Sequence, residues 1–179
     1  GRLNKPHESL LYVSLSDPGC AIKECKVNEG EFFALIKYSS TEQININLIG
    51  GKPDYNQFNI TDKNTILIHE LYNNFLFDEF SRDVGEGTEF LYRPSEMIAK
   101  AYFDLPPEVQ DAWAYPSIFN KKEQINVCFR PQKAHSLLIL KGALICKMEN
   151  DLIHPMAFVP PVSSSQDLQY YTISEEIMS

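Results

Sequence analysis

Basic residues are scarce in this chain: Lys and Arg total 16 against 24 Asp and Glu, giving a formal net charge of −8 and a pI near 5.0. Nucleic-acid binding relies on cationic side chains that displace counterions from phosphates, so direct binding of nucleic acid is excluded as a main activity. An acidic surface suits a soluble protein, or one that meets a basic partner. Long apolar runs are missing too. No stretch approaches the roughly 18 to 20 apolar residues that cross a bilayer, and no charged-then-apolar leader opens the chain, so the expectation is a cytoplasmic protein without membrane contact. Metal-binding spacing is absent. Cys20, Cys25, Cys128 and Cys146 follow no zinc pattern, and His7, His69, His135 and His154 stand apart, which predicts no metal site. The cysteines read as buried free thiols of a reducing compartment. No internal repeat or low-complexity domain is visible, and no initiator methionine precedes Gly1-Arg2, which reads as a chain whose natural upstream sequence has been removed.

What is present fits one α+β domain. At 179 residues and 44% apolar content, the chain can bury one sizeable core and falls short of two full domains. Residues 10–14 read as a short apolar strand containing Tyr12. A helix bearing Glu24 follows, with Ser16 as N-cap, Asp17 at the positive end of the helix dipole and Pro18 in the first turn. Alternation predicts strands over 31–38 and 43–49, the second with one wet face, before Gly50 to Asp54 break regular structure. A helix starts at Asp62 or Asn64 and runs through Phe80. Its Leu71, Phe75 and Phe80 read as core residues, with a pocket cap, a partner-binding surface or an oligomer contact as the alternatives.

Pro94 to Asp104 predicts another helix, with Met97, Ile98, Ala101 and Tyr102 as its apolar stripe. Strands are expected over 112–117 and 125–129 with the polar turn Asn120 to Glu123 between them. Residues 137–147 read as another strand pair or as one long strand bent near Gly142, and Glu149 to Asp151 form a turn. Residues 160–165 read as a linker, and 168–173 as an edge strand.

Five short motifs occur in order: Gly1-Arg2-x-Asn4, Leu11-Tyr12-x-Ser14, Ala21-x-x-Glu24, Tyr115-Pro116-Ser117 and Asn126-Val127-x-Phe129. Together they resemble the RES domain, a family of NAD-degrading toxins often paired with a Xre-type antitoxin. The resemblance covers residues 1 to about 26 and about 91 to 147. It implies an ADP-ribosyltransferase-like mixed β core with flanking helices, spanning residues 1–179 as a single RES-like domain with an insertion at about 50–90 and a C-terminal extension at about 160–179. RES proteins carry a strand and helix ahead of the arginine motif.

The implied activity is cleavage of the nicotinamide–ribose bond of NAD as substrate, with no cofactor and with phosphate or water as acceptor. Such an enzyme must hold a pyrophosphate, orient nicotinamide and stabilise positive charge growing on the ribose. Glu24, Arg2 and Tyr12 are the implied catalytic residues, and Arg2, Tyr12, Ser117, Tyr115 and Asn126 the substrate-binding ones. Arg2 offers a planar fork to phosphate oxygens, Glu24 an anion to an oxocarbenium-like centre, and Tyr12 a ring to stack on a base. Ser117 suits a hydrogen bond to ribose or phosphate better than nucleophilic attack, since no base adjoins it in sequence. The implied partners are NAD, phosphate, a Xre-type antitoxin and a second copy of the chain.

Two other readings stay open. One is ADP-ribosyl transfer to a protein. The other is a degenerate module that binds without turnover, which Leu3 in place of an aromatic and His7 in place of a small turn residue keep in view.

Overall fold

Turn chemistry and strand patterning account for most of the elements that form. The computed structural model describes residues 1–15, 17–119, 124–161 and 171–172, and among these it is mixed α+β, with two four-stranded sheets and four helices. The chain divides into two units, Gly1–Glu24 with Ile44–Lys133, and Cys25–Gln43 with Ala134–Ser179. No helix among the described residues is long and apolar enough to cross a membrane.

The first unit holds a sheet ordered β1 (Leu11–Ser14), β5 (Ile125–Phe129), β4 (Ala112–Pro116), β3 (Ile46–Leu48). The first two pairings are antiparallel and the third is parallel. Its register aligns Tyr12, Cys128 and Trp113 in one cross-strand row and Ser14, Asn126 and Tyr115 in the next. Side chains alternate along a strand, so these six share one face. On that face Trp113, Tyr115 and Cys128 join Leu3, Ile49, Phe80 and Ala99 in a buried cluster. The Trp113 indole donates to the Phe103 carbonyl at 2.8 Å, and the Arg130 guanidinium lies 4.4 Å from its ring centre.

Helix α1 (Pro18–Glu24) starts as its proline suggests, and among the described residues Asp17 accepts from its first turn, its Oδ1 taking the Gly19 N–H at 2.8 Å. Ser16 lies outside the described residues. Helix α2 (Lys63–Phe80) is capped by Asp62, which accepts from the Thr65 N–H at 2.8 Å. Phe80 at its far end is fully buried, so the stretch expected as an insertion supplies part of the core. Leu71 and Phe75 are exposed, contrary to the core reading.

Helix α3 (Tyr92–Ile98) runs into a π turn, Ala99–Phe103. Ser95 and Ala99, one α-helical turn apart, are its buried residues and Ile98 packs against the core, whereas Met97 is exposed and, within the π turn, so are Ala101 and Tyr102, so only Ile98 of the expected stripe faces inward. In β3 the expected wet face is also inverted. The Asp111 carboxylate takes the Asn45 N–H at 2.8 Å and fixes the register, so Asn47 is half-buried, within 3.5 Å of the Phe103 carbonyl, while Ile46 and Leu48 are exposed.

The second unit's sheet is ordered β2 (Phe32–Ser40), β6 (Leu138–Glu149), β7 (Leu152–Val159), β8 (Tyr171–Thr172), antiparallel throughout. The register of β6 against β2 shifts beside Gly142, at the predicted bend. Asn150 and Asp151 both adopt positive φ in the β6–β7 hairpin, the left-handed pair a tight two-residue turn requires. β7 and the short helix α4 (Pro131–Leu137) had no sequence signal assigned to them. The expected turn at 120–123 lies outside the described residues, as do most of the linker and edge-strand positions beyond Pro161.

Gly50 closes the turn after β3 with φ +73°, and a Cβ there would lie 2.7 Å from the Phe77 backbone nitrogen. Neither the conformation nor the contact with helical backbone can relax cheaply. Gly50→Ala is expected to destabilise the protein by about 3 kcal/mol. Chemical denaturation of the two proteins checks this; equal midpoints would show that the turn and α2 can separate freely.

Candidate active site

The site is built where the last turn of α1 meets the ends of β4 and β5. Glu24 closes α1, Ser117 follows β4, and Asn126 sits in β5 opposite Tyr115. Glu24 Oε1 accepts three hydrogen bonds: from Ser117 Oγ at 2.7 Å, from Asn126 Nδ2 at 2.9 Å and from the Ile118 N–H at 3.2 Å. Among the described residues Oε2 accepts none. This carboxylate is thus anchored through one oxygen, not paired with Lys23 or Lys26 as a surface helix acid would be.

Ser117 is fully buried and its hydroxyl is committed. Its single proton goes to Glu24, so the Cys20 thiol 3.0 Å away donates to Ser117 Oγ, which also accepts from the Phe119 N–H at 3.2 Å. The serine therefore holds Glu24 in place and does not present its hydroxyl to a ribose. Asn126, 6% exposed, donates to Glu24 and stands opposite Tyr115 across the β4–β5 pair.

Tyr115 lies beneath this network, its ring 6.3 Å from that of Phe80. Burial pushes its phenol well above the usual range; the Glu24 carboxylate adds to the push, and the Arg2 guanidinium opposes it.

Arg2 itself is buried, with Nη1 donating to the Glu79 carbonyl at 3.4 Å, Nη2 donating to the Arg82 carbonyl, and its guanidinium 5.2 Å from the Tyr92 ring centre. Two of its five N–H donors are thereby spent on the backbone at the end of α2. Tyr12 is 39% exposed, and its hydroxyl donates to Asn4 Oδ1 at 2.8 Å. Of the six candidate side chains, Glu24, Ser117 and Asn126 meet through hydrogen bonds, and Tyr115 stands opposite Asn126 in the sheet. Arg2 is instead bonded to the end of α2, and Tyr12 occupies the neighbouring cross-strand row.

No protein-family model matches the chain, and no curated protein or solved structure matches it.

Two members of the arrangement carried no role in the sequence. Asn4 lay within a motif yet was given no function, and it orients Tyr12. For Cys20 the sequence suggests only a buried thiol. It precedes Glu24 by four residues on α1, a spacing that puts both on one helix face, and that spacing was the available signal. Among the described residues no cluster of His, Cys, Asp or Glu could hold a metal.

The cysteines differ sharply in burial. Cys128 is fully buried, and burial pushes its thiol up to about 12, whereas Cys25 is exposed. The thiolate is the nucleophile, so at pH 8 Cys25 should be alkylated within minutes while Cys128 stays unmodified until the fold opens. Peptide mass mapping after brief labelling checks this; early modification of Cys128 would show that the β1–β5 row is open to solvent. The exposure of Cys25 also corrects the expectation that all four thiols are buried.

Proposed function

We propose that the chain is an NAD-consuming enzyme that cleaves the nicotinamide–ribose bond, similar to RES toxins, with phosphate or water as acceptor. The observation that carries this reading is the one-sided anchoring of Glu24. An acid fixed through Oε1 by three donors keeps Oε2 as an acceptor, which suits a grip on a ribose hydroxyl and an anion beside a developing oxocarbenium ion. Such preorganisation is useful because the charge is in place before the bond breaks.

In this reading Glu24 and the partly exposed Tyr12 are the groups that touch NAD, Tyr12 by stacking on nicotinamide or adenine. Ser117, Asn126 and Tyr115 position the acid, and Arg2 contributes positive potential for the pyrophosphate. An ADP-ribosyltransferase-like fold is the architecture this reading assigns to the mixed α+β chain. A Xre-type antitoxin is the partner that goes with it.

The test is to incubate the protein with NAD, with and without phosphate, and to follow nicotinamide. Phosphate-dependent release yields ADP-ribose 1-phosphate and identifies a phosphorylase; release without phosphate identifies a hydrolase; label retained on protein identifies a transferase. NAD that binds and stays intact both with and without phosphate, leaving no label on protein, would refute the enzymatic reading and leave a binding module.

A further inference from the structure

The segment that carries Arg2 turns back on itself at residues 5–8. The Glu8 N–H donates to the Lys5 carbonyl at 3.0 Å, with Pro6 and His7 at the two central positions. His7 has φ +66°, the left-handed value that the second central residue of a type II turn requires. Glycine meets that requirement without strain; a histidine there costs free energy, and the conformation persists only where neighbouring contacts impose it. Glu8 supplies two such contacts. Its Oε2 accepts from the Lys5 N–H at 2.8 Å, and its Oε1 accepts from Lys100 Nζ at 2.7 Å. Lys100 is the second residue of the π turn, a departure from the α-helix that is frequent at functional sites. One ion pair thus joins two irregular pieces of backbone.

The same turn reaches Tyr12. The Glu8 carbonyl accepts from Asn4 Nδ2 at 3.2 Å, and Asn4 Oδ1 accepts from the Tyr12 hydroxyl at 2.8 Å. With both ends of its amide engaged, Asn4 has one orientation that serves both partners. Burial raises the Tyr12 phenol well above its ordinary range, so the hydroxyl keeps the proton that it donates. At the other end of this relay, Lys100 Nζ lies 5.3 Å from the ring centre of Trp113, which shares a cross-strand row with Tyr12. Residues 4–8 therefore span that row, tied through Lys100 to Trp113 at one end and through Asn4 to Tyr12 at the other.

We propose that Glu8 and Lys100 are positioning residues, which through Asn4 set the Tyr12 ring, 39% exposed, at the angle from which it stacks on a planar base of the substrate. The proposal rests on the reading of Tyr12 as a group that touches NAD. Asp104 Oδ2 stands 4.0 Å from Lys100 Nζ, so removing the Glu8 charge does not strand the ammonium. One aromatic contact accounts for up to about tenfold in affinity, and a contact made equally in the ground and transition states moves affinity without moving kcat.

Glu8→Gln and Lys100→Met each break the ion pair. Each should weaken NAD binding, followed by calorimetry, about tenfold, with kcat within about twofold of wild type. The melting temperature should stay within about 5 °C, because a part-exposed ion pair contributes little to folding. Lys100→Arg, which keeps a cation over the indole and a donor to Glu8, should bind NAD as wild type does. The independent arm is fluorine NMR of protein labelled with 3-fluorotyrosine, in which the Tyr12 resonance is the one lost in Tyr12→Phe. That resonance should move in Glu8→Gln and Lys100→Met and hold its place in Lys100→Arg. A resonance unmoved in the first two overturns the relay, whether or not NAD is cleaved. A moved resonance with unchanged NAD affinity overturns the positioning role. A wild-type protein that does not bind NAD refutes the reading of Tyr12 on which the role rests, and the fluorine spectra then decide the relay alone.

Discussion

Glu24→Gln is expected to lower the rate of nicotinamide release at saturating NAD by about a hundredfold to a thousandfold, or about 3–4 kcal/mol of transition-state stabilisation, while NAD affinity changes little. The geometry makes this substitution unusually clean. All three donors converge on one oxygen of Glu24, so the carbonyl oxygen of a glutamine can take the place of Oε1 and keep Ser117, Asn126 and the Ile118 N–H satisfied. What changes is the other terminus, where an acceptor carrying negative charge becomes a neutral donor. A ground-state contact with a ribose hydroxyl survives that change better than the stabilisation of a cation that exists only as the glycosidic bond breaks. Turnover should therefore fall far more than binding. Calorimetric titration with NAD, a single-turnover assay and a melting curve on the same preparations separate the terms. Equal losses in affinity and rate would remove Glu24 from the chemistry, and a lowered melting temperature would show that the network had been disturbed instead. Glu24→Ala is the poorer test, because it strands three donors at once.

The parts of this arrangement readable from sequence were those set by local chemistry. Asp62 as a cap, the break at Gly50, the bend at Gly142 and the turn at Asn150 each depend on a residue whose backbone preference or short side chain acts within a few positions. The convergence of Glu24, Ser117 and Asn126 is not local, spanning 93 and 102 residues. It was approached only through the order of motifs. Nothing in composition or periodicity would have brought those three together.

Where the reading failed, a distant partner had overridden a local pattern. The alternation of residues 43–49 favoured Ile46 and Leu48 inside, yet the Asp111 carboxylate fixes the register through the Asn45 N–H and turns Asn47 inward. The stripe of α3 was drawn at the α-helical period, and a π turn beginning at Ala99 breaks that period. For Ser117 the expectation was a hydroxyl facing ligand. Its full burial, with Cys20 and Phe119 filling its remaining bonding capacity, follows from α1 packing that no single motif encodes.

Arg2 is the residue for which fold and function compete most directly, and Arg2→Ala is expected to destabilise the protein by about 3 kcal/mol, a fall of roughly 10 °C in melting temperature. The guanidinium is 6% exposed and ties the N-terminal segment to carbonyls 77 and 80 residues away, at Glu79 and Arg82. Truncation leaves those carbonyls without their donor, next to a Glu79 side chain whose Oε1 already has no hydrogen-bond partner among the described residues. Arg2→Lys should fall between wild type and Arg2→Ala, because an ammonium keeps the charge but cannot fork to two carbonyls. Melting curves with and without NAD divide structure from binding. A ligand that binds the folded state raises its stability according to its saturation, so a purely structural Arg2 predicts a lower starting temperature for Arg2→Ala and the same NAD-induced rise. An unchanged starting temperature with the rise abolished would assign the guanidinium to the pyrophosphate instead. Loss of both would mean that the arginine anchoring the end of α2 also supplies the positive potential that a dinucleotide needs, with its three remaining N–H groups serving the ligand.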